Sequence, residues 1–187
     1  SNTLVEMGRE GGLIPRGPSG GNYTFVMIGS HSTAFLTAAY MKGIRTFDVE
    51  AAYEGMRRNA FPGGLMSKAG YEHDSCRAGG IVDYIERGYV PDPRTIEGPL
   101  HVDGASQTLE YAYDDWCLAQ LAAELGRQDD AELFAERSGN WRNVFDPSSG
   151  FMRPRRRDGE GLEPFDALDW QPGWCEANAW HYRWYVP

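Results

Sequence analysis

Residues 106–126 read SQTLEYAYDDWCLAQLAAELG, and this stretch decides the fold. Leu109, Ala112, Tyr113 and Trp116 recur at helical spacing on one face, while Leu118, Leu121, Ala122 and Leu125 occupy others. A helix from Ser106 to about Leu125, closed by Gly126, is therefore apolar nearly all round and belongs inside the molecule. The next helix, about Asp130–Val144, differs. Ala131, Phe134, Ala135, Ser138, Trp141 and Phe145 share a side, and Glu132, Glu136, Arg137 and Arg142 cover the remainder, as on a surface helix.

The same pair occurs upstream. From His31 or Ser32 to Lys42, with Gly43 as stop, apolar residues from Ala34 to Met41 surround the axis. Asp48 is then placed to cap an amphipathic helix over Val49–Asn59, with Ala52, Tyr53 and Met56 inward and Glu50, Glu54, Arg57 and Arg58 outward. Asn178–Pro187 opens a further aromatic-loaded segment with Trp180, Tyr182, Trp184 and Tyr185. The order buried, surface, buried, surface, buried predicts an all-α chain. An antiparallel two-layer helical ring gives this alternation, whereas an up-and-down bundle puts a stripe on every helix. A short helix over Ile81–Arg87 and the segment Gly150–Arg153 are additions, and no alternating strand set competes. Residues Ser1–Ser30, rich in Gly, Ser, Asn and Pro, read as irregular loop. With about five ring helices, this loop-like start and no polar cap before Pro187, the expected object is a ring cut at both ends. Its terminal helices would expose apolar flanks and make it sparingly soluble without partner segments.

Bulk properties narrow the function classes. The 187 residues make one domain-sized unit, with six Trp, ten Tyr and eight Phe. Aromatic richness suits either a packed core or sugar stacking. A net charge of −9, with basic density only at Arg153–Arg157, excludes a phosphate-tracking surface; that run reads as a solvated loop. Cys76, Cys117 and Cys175 stand far apart and form no zinc spacing or disulfide framework. No run of 18 apolar residues spans a membrane, and no signal peptide opens the chain.

Several residues are candidates for chemistry. Glu176 stands among Trp174, Cys175 and Trp180, a setting that can raise a carboxyl pKa; a first-turn Glu favoured by the helix dipole is the alternative. Asp114 and Asp115 are adjacent in the apolar helix and point about 100° apart, so at most one faces a central pocket. A buried carboxylate either binds sugar hydroxyls or pairs with a structural Arg. His31 is a sugar contact or a capping histidine, Asn178 a substrate contact or a cap, and Trp174 and Trp180 are packing or sugar platforms.

Seven strings then agree in order: Met27–Ser32 (MIGSHS), Tyr40–Asp48 (YMKGIRTFD), Gly88–Pro91 (GYVP), Ser106–Gln120, Phe145–Pro154 (FDPSSGFMRP), Pro164–Asp166 (PFD) and Glu176–Pro187 (EANAWHYRWYVP). In these the chain resembles glycoside hydrolase family 92, the calcium-dependent exo-α-mannosidases, from about Gly12 to its end. The resemblance implies an (α/α)6 toroid behind an N-terminal β-sandwich, and inverting hydrolysis of terminal α-mannosides, α-1,2 foremost, in N-glycans or mannans. It also implies a calcium ion, a bacterial source, and a periplasmic or extracellular site. The family's acid falls on Glu176. Its base belongs to a later motif beyond Pro187, so the resemblance implies a piece of a catalytic domain that is inactive without the rest of its own polypeptide. Ala177 stands where the family has Gly, His181 where it has Gln, and Thr37-Ala38-Ala39 lacks its Asp; these departures bear on linkage preference and activity. A non-catalytic carbohydrate-binding toroid is the competing class; a lyase or epimerase would need a Tyr/His or paired-His constellation that four isolated His do not supply.

Overall fold

The computed structural model describes residues 1–19, 22–23, 25, 27–68, 79–92, 103–170 and 172–186. Cys76 and Pro187, named above, lie outside the described residues. Among the described residues the chain is mostly helical, with two strand pairs of two residues each.

The first element corrects the sequence reading. Asn2–Gly11 is helix α1, not loop. Its glycines are contact points: a Cβ at Gly8 would lie 2.6 Å from Ile14 Cδ1. A small hairpin pairs β1 (Pro18–Ser19) with β2 (Asn22–Tyr23). Two helical hairpins follow. In the first, α2 (His31–Met41) folds back into α3 (Val49–Asn59), whose N-terminus is capped as expected, Asp48 accepting from the Ala51 N–H. Asn59, at the far end of α3, returns to donate to Ser30 Oγ and the Ile14 carbonyl. After α4 (Ile81–Arg87), α5 (Gly104–Glu124) turns through Gly126 into α6 (Gln128–Ser138), which lies along it.

The long helix starts two residues earlier than its sequence suggests because its cap comes from a distance. Asp92 accepts from the N–H groups of Gly104 and Ala105 at 3.0 and 3.2 Å. The α-helix of α6 stops at Ser138 and tightens into a 3₁₀ turn over Gly139–Asn143, short of Val144. Then β3 (Phe145–Asp146) pairs with β4 (Phe151–Met152), and a single turn, α7 (Ala179–Tyr182), is the last helix.

The core lies between the hairpins. Leu36, Tyr40, Tyr53, Met56, Tyr111, Leu118, Leu121, Ala122 and Phe134 form one cluster; a second joins Leu109, Met152, Trp174 and Ala179. Helix α5 is enclosed as its sequence requires, save Trp116 and its last residues. Helix α2 departs from expectation: His31, Phe35, Ala38 and Met41 form an exposed stripe. The closing aromatic segment departs too, since Trp180 and Trp184 are exposed. Arg137, read as surface decoration, is buried. The Arg153–Arg157 run is solvated as expected at Arg156 and Arg157, although Arg157 pairs with Asp83, whereas Arg153 is covered and held by Asp146 and the Leu162 carbonyl.

Candidate active site

The segment 173–178 is stitched to the start of α5. Ser106 donates its N–H to the Gly173 carbonyl at 3.0 Å, and its Oγ accepts from the Cys175 N–H at 2.8 Å. Trp174 is buried and stacks on Tyr182 with centroids 5.4 Å apart; Ala177 is buried on the other side. Between these anchors Glu176 is exposed and sits at φ 50°, the only non-glycine at positive φ among the described residues. A left-handed conformation at such a residue costs about 1–3 kcal/mol, and the anchors on both sides hold it there. Glu176 precedes Asn178, the N-cap of α7, so it lies outside any helical first turn and the dipole alternative falls away. The apolar enclosure expected from its sequence neighbours is not built by the two tryptophans. Trp174 turns into the core, and Trp180 lies under the Arg183 guanidinium at 4.3 Å.

Around Cys175 three carboxyl groups converge. Burial pushes its thiol up to about 12, helped by the charges of Asp103, Glu176 and Glu110. Asp103 is the N-cap residue of α5 but makes no side-chain cap bond, because Asp92 has taken that role. Glu110 lies nearly two turns into the helix and is almost wholly buried. It accepts from Tyr185 Oη at 2.8 Å and lies 3.9 Å from His31 Nε2. Burial raises its pKa to about 7, opposed by the Tyr185 hydrogen bond and by Arg16. His31 is half-exposed, its Nε2 3.1 Å from the Ile28 carbonyl; burial and then Arg16 lower its pKa. Arg16 is itself buried. It donates to the Gly29 and Lys68 carbonyls, and its Nη1 has no partner.

The aspartate pair divides. Asp115 receives a two-pronged donation from Arg137, at 3.0 and 2.8 Å, and a third from Tyr84 Oη at 2.8 Å. It is the structural alternative of the two foreseen. Asp114, also buried, accepts from the Ser30 N–H at 2.7 Å and so holds the start of α2; burial, then Glu110, lift its pKa well above the carboxylate range. Asn178 is occupied at both ends, accepting from the His181 N–H and donating to the Leu168 carbonyl.

The structure thus brings Glu176 and His31 to one end of α2 and α5, with Asp103, Glu110, Arg16 and Tyr185. Asp115, Asn178 and Trp174 are engaged in holding elements together. Glu110 was legible in principle: it stands four residues before Asp114 in the same all-round apolar helix, where any carboxylate needs a partner. Arg16 and Tyr185 carried no local signal. A cleft of about 560 Å³ between α1 and α3 is lined by Arg9, Gly55, Arg58 and Phe61 among others and shares no residue with this site. Among the described residues no three His, Cys, Asp or Glu are grouped to hold a metal ion, and no helix is long and apolar enough to cross a membrane.

Residues 1–187 match the model of the glycosyl hydrolase family 92 catalytic domain. Among solved structures, the family GH92 inverting mannosidase BT2199 of Bacteroides thetaiotaomicron superposes with a TM-score of 0.81 at 35% identity, over 98% of this chain and 23% of that one. The family GH92 alpha-mannosidase BT3965 of the same organism gives 0.74 at 34% identity, over 94% of this chain and 21% of its own. BT3965 has also been solved in complex with mannoimidazole. A protein of Arthroderma benhamiae named an uncharacterized secreted glycosidase is 29% identical over 150 residues, 72% of this chain and 18% of that protein. The chain spans about a fifth of the length of these proteins.

Proposed function

The chain belongs to glycosyl hydrolase family 92, and from that premise we propose that the full protein is an exo-acting, inverting α-mannosidase with Glu176 as its general acid. Its substrates are terminal α-mannosides of N-glycans or mannans, α-1,2-linked foremost. The observation that carries the reading is the backbone at Glu176. An exposed carboxyl is held at positive φ by buried neighbours on both sides, the kind of constraint that persists where a side chain must be aimed. The similar structures are mannosidases, one of them in complex with mannoimidazole, and this supports the sugar.

Inversion needs an acid that protonates the leaving oxygen and a carboxylate that activates water on the opposite face, roughly 6.5–9.5 Å away. Glu176 takes the first role. His31, half-exposed at the start of α2, and the exposed face of Trp180 are the proposed sugar contacts. The two helical hairpins are taken as units of an (α/α)6 toroid. A secreted setting, periplasmic or extracellular, accords with the name of the fungal relative. Calcium is carried over from the family resemblance alone. The described residues form no acidic or imidazole cluster that fits it.

The test uses the full protein and α-1,2-mannobiose. Proton NMR is expected to show β-mannose as the first product, and Glu176→Gln to lower kcat by roughly 10²–10⁴-fold. The loss should be much smaller on a dinitrophenyl α-mannoside, whose leaving group needs no proton. Near wild-type hydrolysis of mannobiose by Glu176→Gln overturns the acid assignment. Saturable binding of mannobiose with no turnover by the wild type would instead favour a carbohydrate-binding module.

A further inference from the structure

We propose that Glu110 is a positioning residue of this site: with the Ile28 carbonyl it fixes His31 as the Nε2–H tautomer, leaving Nδ1 to accept a hydrogen bond from a substrate hydroxyl. The inference rests on the reading of the site as sugar-binding.

Three observations converge on it. First, both groups facing His31 Nε2 are acceptors, the Ile28 carbonyl at 3.1 Å and Glu110 Oε2 at 3.9 Å. A nitrogen between two acceptors carries the proton, and the neutral ring then has its lone pair on Nδ1. Second, Glu110 is held in place. Tyr185 Oη donates to Oε2 at 2.8 Å, and the carboxyl is tucked against Gly29, where a Cβ would come within 2.7 Å of Oε2. Gly29 is at φ 74° and its carbonyl accepts from Arg16 Nε, so the loop that delivers His31 is shaped around this carboxyl. Third, Glu110 is almost fully buried while His31 is half-exposed. Substrate meets the imidazole, and Glu110 acts through it.

The charged and titratable groups around Glu110 come from several elements: Arg16 from the segment after α1, His31 from α2, Asp114 from α5, and the neutral Cys175, Tyr182 and Tyr185 from the C-terminal segment. Burial pushes the Glu110 carboxyl up to about 7, while burial and then Arg16 lower His31; with Oε2 3.9 Å from Nε2, the charge on either group bears on the other. An ionised Glu110 favours the imidazolium; a protonated one leaves the neutral ring.

The experiment compares the full wild-type protein with Glu110→Gln and Tyr185→Phe, using ¹⁵N-histidine NMR and kinetics on an aryl α-mannoside from pH 5 to pH 9. In the wild type, His31 is expected to show Nε2–H with a titration spread over two linked steps. In Glu110→Gln the titration should collapse to one step at lower pH. KM should rise by about tenfold with a smaller change in kcat, the signature of lost positioning. Tyr185→Phe removes a donor to the ionised carboxyl, so Glu110 holds its proton to higher pH and His31 again titrates lower; this variant carries the test if Glu110→Gln fails to fold. A His31 protonated on Nδ1 in the wild type, or a titration unmoved by either variant, overturns the inference. If the NMR behaves as expected but the wild type cleaves no mannoside, the activity reading fails and the positioning role stands.

Discussion

Glu110, Asp114 and Asp115 lie within six consecutive residues of one buried helix, yet each meets a different fate. Asp115 finds the fork of Arg137, Asp114 the backbone of Ser30, and Glu110 a tyrosine and a histidine. Burial raises all three, Glu110 from 4.5 to about 7 and Asp115 from 3.8 to about 6 despite Arg137. The folded state therefore holds these protons more tightly than the unfolded chain, and unfolding releases them. For Glu110 and Asp115 this contribution to stability is fullest below about pH 4 and is lost as pH rises towards 7. The melting temperature is expected to fall across that window, and Glu110→Gln to flatten the fall; a wild-type curve no steeper than the variant's would contradict this. Asp146, held at about 2 first by the Ser148 hydroxyl, acts oppositely, and its contribution disappears only in stronger acid. Arg137→Met strands Asp115 without its ion-pair partner and should cost about 3–5 kcal/mol in urea unfolding. Which aspartate faces which way was not readable from adjacent letters, because their partners lie 22 and 84 residues away in sequence.

At the scale of elements, the helices whose ends are written locally came out where the residues place them. Asp48 caps α3, and Ile81–Arg87 is α4. Replacing Asp48 by Ala should destabilise the protein by about 1 kcal/mol, read by chemical denaturation. The misread elements share one cause. Helix α1 is glycine-containing because it packs closely on Ile14, and α5 begins early because Asp92 caps it across a gap of 12 residues. Helix α7 is a single turn whose neighbours are held by Trp174–Tyr182 stacking rather than by helical continuation. In each case tertiary contact overrides local propensity.

For the whole molecule, the outward stripe of α2 and the nearby α5 leaves Phe35, Met41 and Trp116 between 40 and 53% exposed. Patches of this kind bind apolar partners. The 187-residue chain by itself is expected to bind an apolar dye and to self-associate at micromolar concentration. Replacing Phe35 and Trp116 by Ser should lower both in dye titration and sedimentation; an unchanged sedimentation profile would refute the role of this stripe. The net charge of −9 opposes association, so added salt should promote it.

By itself the sequence determined the mostly helical class, the pairing of an enclosed helix with an amphipathic one, and, through seven ordered strings, the family. Periodicity and capping act over a few residues and survive in a linear reading. Only the tertiary structure decided that Asp115 is structural, that Trp174 is core, and that Glu176 stands exposed at positive φ. It alone joined Glu110 to His31 and Tyr185. Those outcomes depend on burial and on partners distant in sequence, because a carboxyl's environment is set by what folds against it.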